Sequence, residues 1–274
     1  MSARWIEVAD GVHVRRYEEL DLSLGLIVGD DACLVLDTGG DEVQGREWAA
    51  AVRTVTPLPW TVVLTHSHFD HSFGTQAFLP CPVLAHPNCV DELVIESAAD
   101  KDHWVGHYTA QKRPEIAAAI RATRIVLPDT LVSERTTVHL GGRIVEIEHF
   151  GRGHSDNDLV LRVPDADVVF AGDLVENGAP PAFEGSFPAL WPTALAGLLG
   201  LTGPDTVVVP GHGDPVDAAF VDRQRADIAA VVELTAAFAA GSVTLEDVLC
   251  DSPFPAEATR GAIGRLTGRN RSDR

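Results

Sequence analysis

Apolar residues gather in short runs from the amino end, over residues 5–8 and 12–16 on either side of Asp10-Gly11, and these predict a pair of short strands. Residues 22–28 and 32–36 are more continuously apolar and are joined by Gly29-Asp30-Asp31, the signature of a hairpin. Asp37-Thr38-Gly39-Gly40 breaks the second of these strands, and the period changes to a helical one over 42–55, closed by Pro57 and Pro59. A strand at 61–64, the start of a helix at 72–78, a short strand at 83–85 and helices at 87–99 and 114–123 follow. Between those helices, residues 100–113 are polar apart from Trp104 and Tyr108 and are expected to form a lid or pocket rim. From Ile125 the strand signal returns, at 125–127, 136–140, 143–149, 159–163 and 168–171, with Gly141-Gly142 turning one pair. A helix at 189–199, a strand at 206–209 and an Ala-rich helix over 217–240, stopped by Gly241, complete the body. Thr244-Leu-Glu-Asp247 has the form of a capping box and opens a small helical appendix.

Strands, helices, strands and helices in that order predict an α/β protein of four layers, with two sheets face to face and helices outside. A chain of 274 residues buries a sizeable core, and no Ser, Pro or charge-rich linker divides it. The expectation is therefore one domain over 1–274, with its core at about 5–240 and the appendix at 241–274. Residues 32–40 and 166–175 each run a strand into an aspartate, a hint of duplicated halves.

Composition narrows the function. A net charge of −19 disfavours a polyanion such as nucleic acid and leaves a small molecule as the expected partner, with a homodimer as a further expectation. Only the tail is basic, through Arg260, Arg265, Arg269, Arg271 and Arg274, and it reads as a solvated terminus. The longest apolar stretch, 226–240, carries Asp227 and Glu233 and is too short to span a bilayer. With no leader-like start, the expectation is a cytoplasmic protein that does not engage membranes. Cys33, Cys81, Cys89 and Cys250 form no CxxC pair and are expected to be reduced.

The chemistry concentrates at 65–74, Thr-His-Ser-His-Phe-Asp-His-Ser-Phe-Gly, directly after Val62-Val63-Leu64. On an extended segment His66 and His68 share a face and can grip one ion, whereas the turn that follows points Asp70 and His71 elsewhere. One ion cannot easily use all four, so the spacing suggests a pair of ions, zinc, iron or manganese by donor type. Three further candidates, His154, Asp173 and His212, each stand beside glycine at the end of a predicted strand.

With these segments in place, the chain from about Val12 to Gly213 resembles the metallo-β-lactamase superfamily, whose signature is His-x-His-x-Asp-His followed by His, Asp and His. The resemblance implies the αβ/βα sandwich and a binuclear site with two zinc ions. In it His66, His68 and His154 hold one ion, Asp70, His71 and His212 the other, and Asp173 bridges them. It further implies that Asp37 supports ligand geometry through hydrogen bonds and that Asp70 orients the attacking hydroxide. Thr65 and Ser155, which flank ligands, read as backbone caps, and His13, His86, His103, His107, His139 and His149 as histidines without a metal role.

A Glu at position 68 would suggest the di-iron oxidoreductases of that superfamily, and its best-known β-lactamases carry Cys where Asp173 stands. The implied activity is hydrolysis of an ester, thioester, lactone or related bond. A mononuclear iron persulfide dioxygenase and a β-lactam hydrolase are the alternatives. The substrate pocket is expected from Trp104 and Tyr108 in 100–113, and from Phe183, Phe187 and Trp191 in 177–191.

Overall fold

In the computed structural model, which describes residues 2–268, seven strands form one sheet in chain order: β1 (Ala3–Ala9), β2 (Val12–Tyr17), β3 (Ser23–Val28), β4 (Cys33–Leu36), β5 (Trp60–Val63), β6 (Val83–Ala85) and β7 (Thr130–Leu131). The first four pair antiparallel through short turns. From β4 onward the pairing is parallel, because helical crossovers return the chain to the same edge. Those crossovers are α1 (Glu42–Val55), then α2 (Phe69–Ser72) with a 3-10 turn at Phe73–Phe78, then α3 (Pro87–Ile95), α4 (Ser97–Ala110) and α5 (Pro114–Ala122). The Asp41 side chain caps α1, accepting from the backbone N–H groups of Val43 and Gln44.

The second sheet has the order β12-β11-β10-β9-β8, with β8 at Arg135–His139, β9 at Ile144–Glu148, β10 at Val160–Val163, β11 at Val168–Glu176 and β12 at Val207–His212. Its one parallel pair, β11 and β12, is joined through α6 (Trp191–Leu199). The helices α7 (Ala218–Ala239), α8 (Leu245–Asp251) and α9 (Ala256–Thr267) follow, and the capping box at Thr244 and Asp247 is formed.

Alternation along the strands decides which residues meet. Val12 and Val14 of one sheet face Val145 and Ile147, and Leu161 and Val163, of the other in a shared apolar layer. The opposite face of the first sheet packs Leu24, Leu26 and Val62 under Trp48, Leu93, Val105 and Ile120. The opposite face of the second packs Val160, Val169 and Val208 under Leu195, Leu198, Ile228, Val231 and Ala262. Four layers result, and α9 belongs to the outer one through Ala262 and its packing on α7. Each sheet thus holds parallel neighbours, β4 with β5 and β11 with β12, whose carboxyl ends open toward one rim.

Three sequence expectations need correction. Residues 100–113 are not a loop; most of them lie in α4, where Lys101, Val105 and Tyr108 recur at helical spacing and the polar remainder is a solvated face. Residues 125–127 are extended without strand pairing, and the strand in that region is Thr130–Leu131, hydrogen-bonded to β6. The helix expected at 72–78 begins earlier, at Phe69, so Asp70 and His71 sit on helical turns. Cys33 and Cys89 are buried free thiols, Cys81 is half-buried and Cys250 exposed. No helix among the described residues is long and apolar enough to cross a membrane.

Candidate metal centre

Seven side chains from five segments meet at the rim. His66 and His68 follow β5, Asp70 and His71 lie on α2, His154 comes from the loop after β9, Asp173 from β11 and His212 from the end of β12. Two donor groups result: His66, His68, His154 and Asp173 in one, Asp70, His71 and His212 in the other, each with donor atoms within 4.8 Å of one another. Asp173 faces both. Its Oδ2 lies 3.5 Å from Nε2 of His66 and of His154 and 3.3 Å from Nε2 of His212, while its Oδ1 lies 3.1 Å from Nε2 of His71. The approach requires glycine at position 211, where a Cβ would stand 1.8 Å from Asp173 Oδ1.

The donor atoms converge on shared space. His66 Nε2 and Asp173 Oδ1 are buried and make no hydrogen bond, an arrangement that costs free energy unless something else satisfies them. Tetrahedral donors about 2.1 Å from an ion lie roughly 3.4 Å apart. The corresponding separations here are 2.9 Å for His68 Nδ1 to His154 Nε2, 3.4 Å for His71 Nε2 to His212 Nε2 and 3.3 Å for His212 Nε2 to Asp70 Oδ2. The two donor groups are of a kind that could hold divalent metal.

Electrostatics agree with that fit. Burial holds the His154 imidazole down at about 3 and His66 well below its ordinary value, so both keep a neutral ring with a lone pair to offer. Burial also pushes Asp173 up, but His71, His212 and His66 outweigh it and hold the carboxyl well below the usual range. Asp173 is therefore a carboxylate, and although burial pulls His71 and His212 down, Asp173 and Asp70 outweigh it and hold both imidazoles well above their ordinary value.

Surrounding contacts orient the ligands. Asp37 accepts from the Thr65 N–H (2.7 Å) and Thr65 Oγ1 (2.8 Å), and stands 2.8 Å from His71 Nδ1. Thr65 Oγ1 in turn lies 3.1 Å from His66 Nδ1, and His212 Nδ1 donates to the Leu20 carbonyl at 2.7 Å. Ser67, between the two histidines, donates from Oγ to Glu92 (2.7 Å) and from N–H to Asn157 Oδ1 (3.0 Å), and Asn157 Nδ2 also donates to Glu92 (2.8 Å). Ser155 does cap its own loop, donating from N–H and Oγ to Asp158 at 2.8 and 2.6 Å. Glu92, Asn157 and the Leu20 carbonyl escaped the sequence reading, since their partners lie far along the chain.

A groove of about 450 Å³ opens beside His68, lined by Asn88, Asp91, Glu92, Ile95, Arg152 and Phe187 among others. Of the five aromatics expected to form a pocket, Phe187 lines it. Trp104 stacks on Phe69 with ring centroids 4.1 Å apart, and Tyr108, buried with its hydroxyl donating to Glu19 at 2.9 Å, lines a separate small cavity beside Asp70. Phe183 and Trp191 are core residues: both are buried and in edge contact with each other, and the indole N–H of Trp191 donates to the Leu174 carbonyl. The expectation for these two is overturned because the 177–191 segment turns its large rings inward under α6 and α9, where apolar area is removed from water.

The family model described as the metallo-beta-lactamase superfamily matches residues 23–212, a span that carries all seven candidate ligands. The chain belongs to the metallo-beta-lactamase superfamily. Within that superfamily it is 28% identical over 165 residues to the acyl-coenzyme A thioesterase MBLAC2 of Gallus gallus, covering 57% of this chain and 58% of the chicken protein. The chain thus matches little more than half the length of that relative. It is 25% identical over 199 residues to the probable metallo-hydrolase YqgX of Bacillus subtilis, covering 70% of this chain and 84% of that protein. Among solved structures, the stereoselective inverting sec-alkylsulfatase Pisa1 from Pseudomonas sp. superposes with a TM-score of 0.75 at 19% identity, over 98% of this chain and 50% of that one, a likeness of fold.

Proposed function

We propose that this protein is a metal-dependent hydrolase whose site holds two divalent ions, zinc by donor type, and cleaves a carboxylic thioester, ester or lactone of a small molecule. The observation that carries this reading is the position of Asp173, one buried carboxylate facing imidazoles of both donor groups at 3.1–3.5 Å. Bound there, the two ions would supply Lewis acidity and bring the pKa of a water to about 7. The hydrolase named for the Bacillus relative and the thioesterase named for the chicken relative support the same direction.

The chain's own residues have separate tasks. His66, His68 and His154 present ring nitrogens to one side of Asp173, and His71 and His212 to the other. Asp70, buried at 3.3 Å from His212 Nε2, borders the place of attack, where it orients the nucleophile and holds its proton. The oxygen of water adds to the acyl carbon and the C–S or C–O bond breaks. The carboxylate product keeps that oxygen, and the departing thiol or alcohol takes up the proton. Asn157 takes no part, because both ends of its amide are engaged by Ser67 and Glu92.

Elemental analysis of protein purified without chelator tests the reading, coupled to a panel of thioesters, esters and lactones. Two zinc ions per chain and turnover abolished by chelation are expected. One iron per chain, with oxygen consumed in the presence of a persulfide, would replace this reading with the oxidative one.

A further inference from the structure

The groove beside His68 has a charge pattern that follows from helical periodicity. Asn88, Asp91, Glu92 and Ile95 stand at i, i+3, i+4 and i+7 on α3, so one face of this helix forms a wall of the groove. Glu96, at the start of α4, extends that wall, and Asp156 and Ser155 belong to the loop that also carries His154. Among the described residues four carboxylates thus line the groove, Asp91, Glu92, Glu96 and Asp156, against the single guanidinium of Arg152.

The remaining rim is apolar and clamped. Phe187 carries the Arg152 guanidinium 4.9 Å from its ring centroid, and that of Arg265, from α9, at 5.7 Å on the same ring. Arg265 also donates to the Ser186 and Gly185 carbonyls at 2.7 and 3.0 Å, so the C-terminal helix holds the segment that bears Phe187. This corrects the sequence expectation of a solvated basic tail for Arg265; Arg269, Arg271 and Arg274 lie outside the described residues. Ile95, which is 71% exposed, lines the same groove, so Phe187 and Ile95 offer apolar surface there.

We propose that the groove selects substrates whose acyl or leaving group is apolar and uncharged or cationic, and that it rejects polyanionic leaving groups, the nucleotide end of coenzyme A included. The proposal rests on the hydrolase reading above and names the substrate class of that site. A field of four carboxylates on a chain of net charge −19 opposes the approach of a phosphate-rich arm, and the one basic side chain that lines the groove among the described residues already lies over an aromatic face. The named activity of the chicken relative therefore does not carry over to its leaving group.

The test compares two thioesters of the same hexanoyl chain, one with coenzyme A and one with N-acetylcysteamine, on the metal-loaded full chain. At low ionic strength kcat/KM for the N-acetylcysteamine ester should exceed that for the coenzyme A ester by about tenfold or more. Added salt should narrow the gap by raising the coenzyme A rate. The double variant Asp91→Asn/Glu96→Gln, both exposed positions, should narrow the ratio severalfold, and Arg152→Gln should widen it. Equal rates, or a preference for coenzyme A that salt weakens, would overturn charge selection and leave hydrolysis standing. No turnover of either ester by fully loaded protein would overturn the thioester reading itself.

Discussion

His71 and His212 have their outward ring nitrogens fixed by hydrogen bonds, to Asp37 and to the Leu20 carbonyl, whereas His154, in the other donor group, has no hydrogen bond at Nδ1 and lies against the indole of Trp191 at 5.5 Å. A hydrogen bond sets tautomer and direction; packing sets position. The group with Asp70 is therefore the fixed half of the centre, both its imidazoles tied by hydrogen bonds, while in the other group His66 is tied through Thr65 Oγ1 and His154 is held by packing. The half with His154 is carried by the loop after β9, whose Gly153 carbonyl accepts from the Phe187 N–H at 2.9 Å, and these segments also form the groove. The half with the packed imidazole is thus the one beside the groove.

The largest effect expected inside the fixed half belongs to Asp70. In Asp70→Asn the shape is kept and the capacity to hold a proton is lost, so kcat should fall on the order of 10²–10⁴-fold while metal content stays near two per chain. A rate near wild type would remove Asp70 from the mechanism and leave the fixed half a purely structural anchor. The packing half is probed at Trp191, which is wholly buried with its N–H on the Leu174 carbonyl. Trp191→Ala should cost about 3–5 kcal/mol of stability by chemical denaturation. Trp191→Phe should cost much less and still loosen the ion held through His154, read as earlier metal release under chelator competition. Unchanged release in Trp191→Phe would mean that the loop, and not the indole, positions His154.

The seven candidate ligands could be picked out in the sequence because four of them fall within six residues and the others end predicted strands beside glycine, a pattern that survives without knowledge of contacts. Helix α1 has the bounds that its periodicity and its closing prolines predict. The contacts around these residues stayed hidden because their partners are distant in the chain or carry no side-chain signal. Ser67 meets Asn157 across 90 positions of chain, and the Leu20 carbonyl has no side-chain signature at all. Helix α4 was hidden for a different reason: most of its surface faces water, so the apolar stripe through Val105 and Tyr108 is too narrow to stand out against polar neighbours. Phe183 and Trp191 show the reverse error, since aromatic content in a loop says nothing about whether the rings point to a groove or to the core.

The smallest of these effects, at Asp37, sharpens the comparison most. Its Oδ1 accepts from the Thr65 N–H, and its Oδ2 takes Thr65 Oγ1 and faces His71 Nδ1, so every direction around the carboxylate is met by a donor. Its backbone has φ of 57°, a left-handed conformation that asparagine tolerates as well as aspartate does. Asp37→Asn should therefore fold, yet one amide N–H must face a donor whichever way the group is flipped. Affinity for the ion near His71 should fall about 10–100-fold, read as loss of one metal equivalent at chelator concentrations that leave wild type loaded. Because Thr65 Oγ1 links Asp37 to His66 Nδ1, the substitution also reaches the other donor group, at one remove. Combining Asp37→Asn with Trp191→Phe separates two outcomes: additive losses of affinity would mean that the halves are supported independently, and a combined loss below the sum would mean that the Thr65 link couples them.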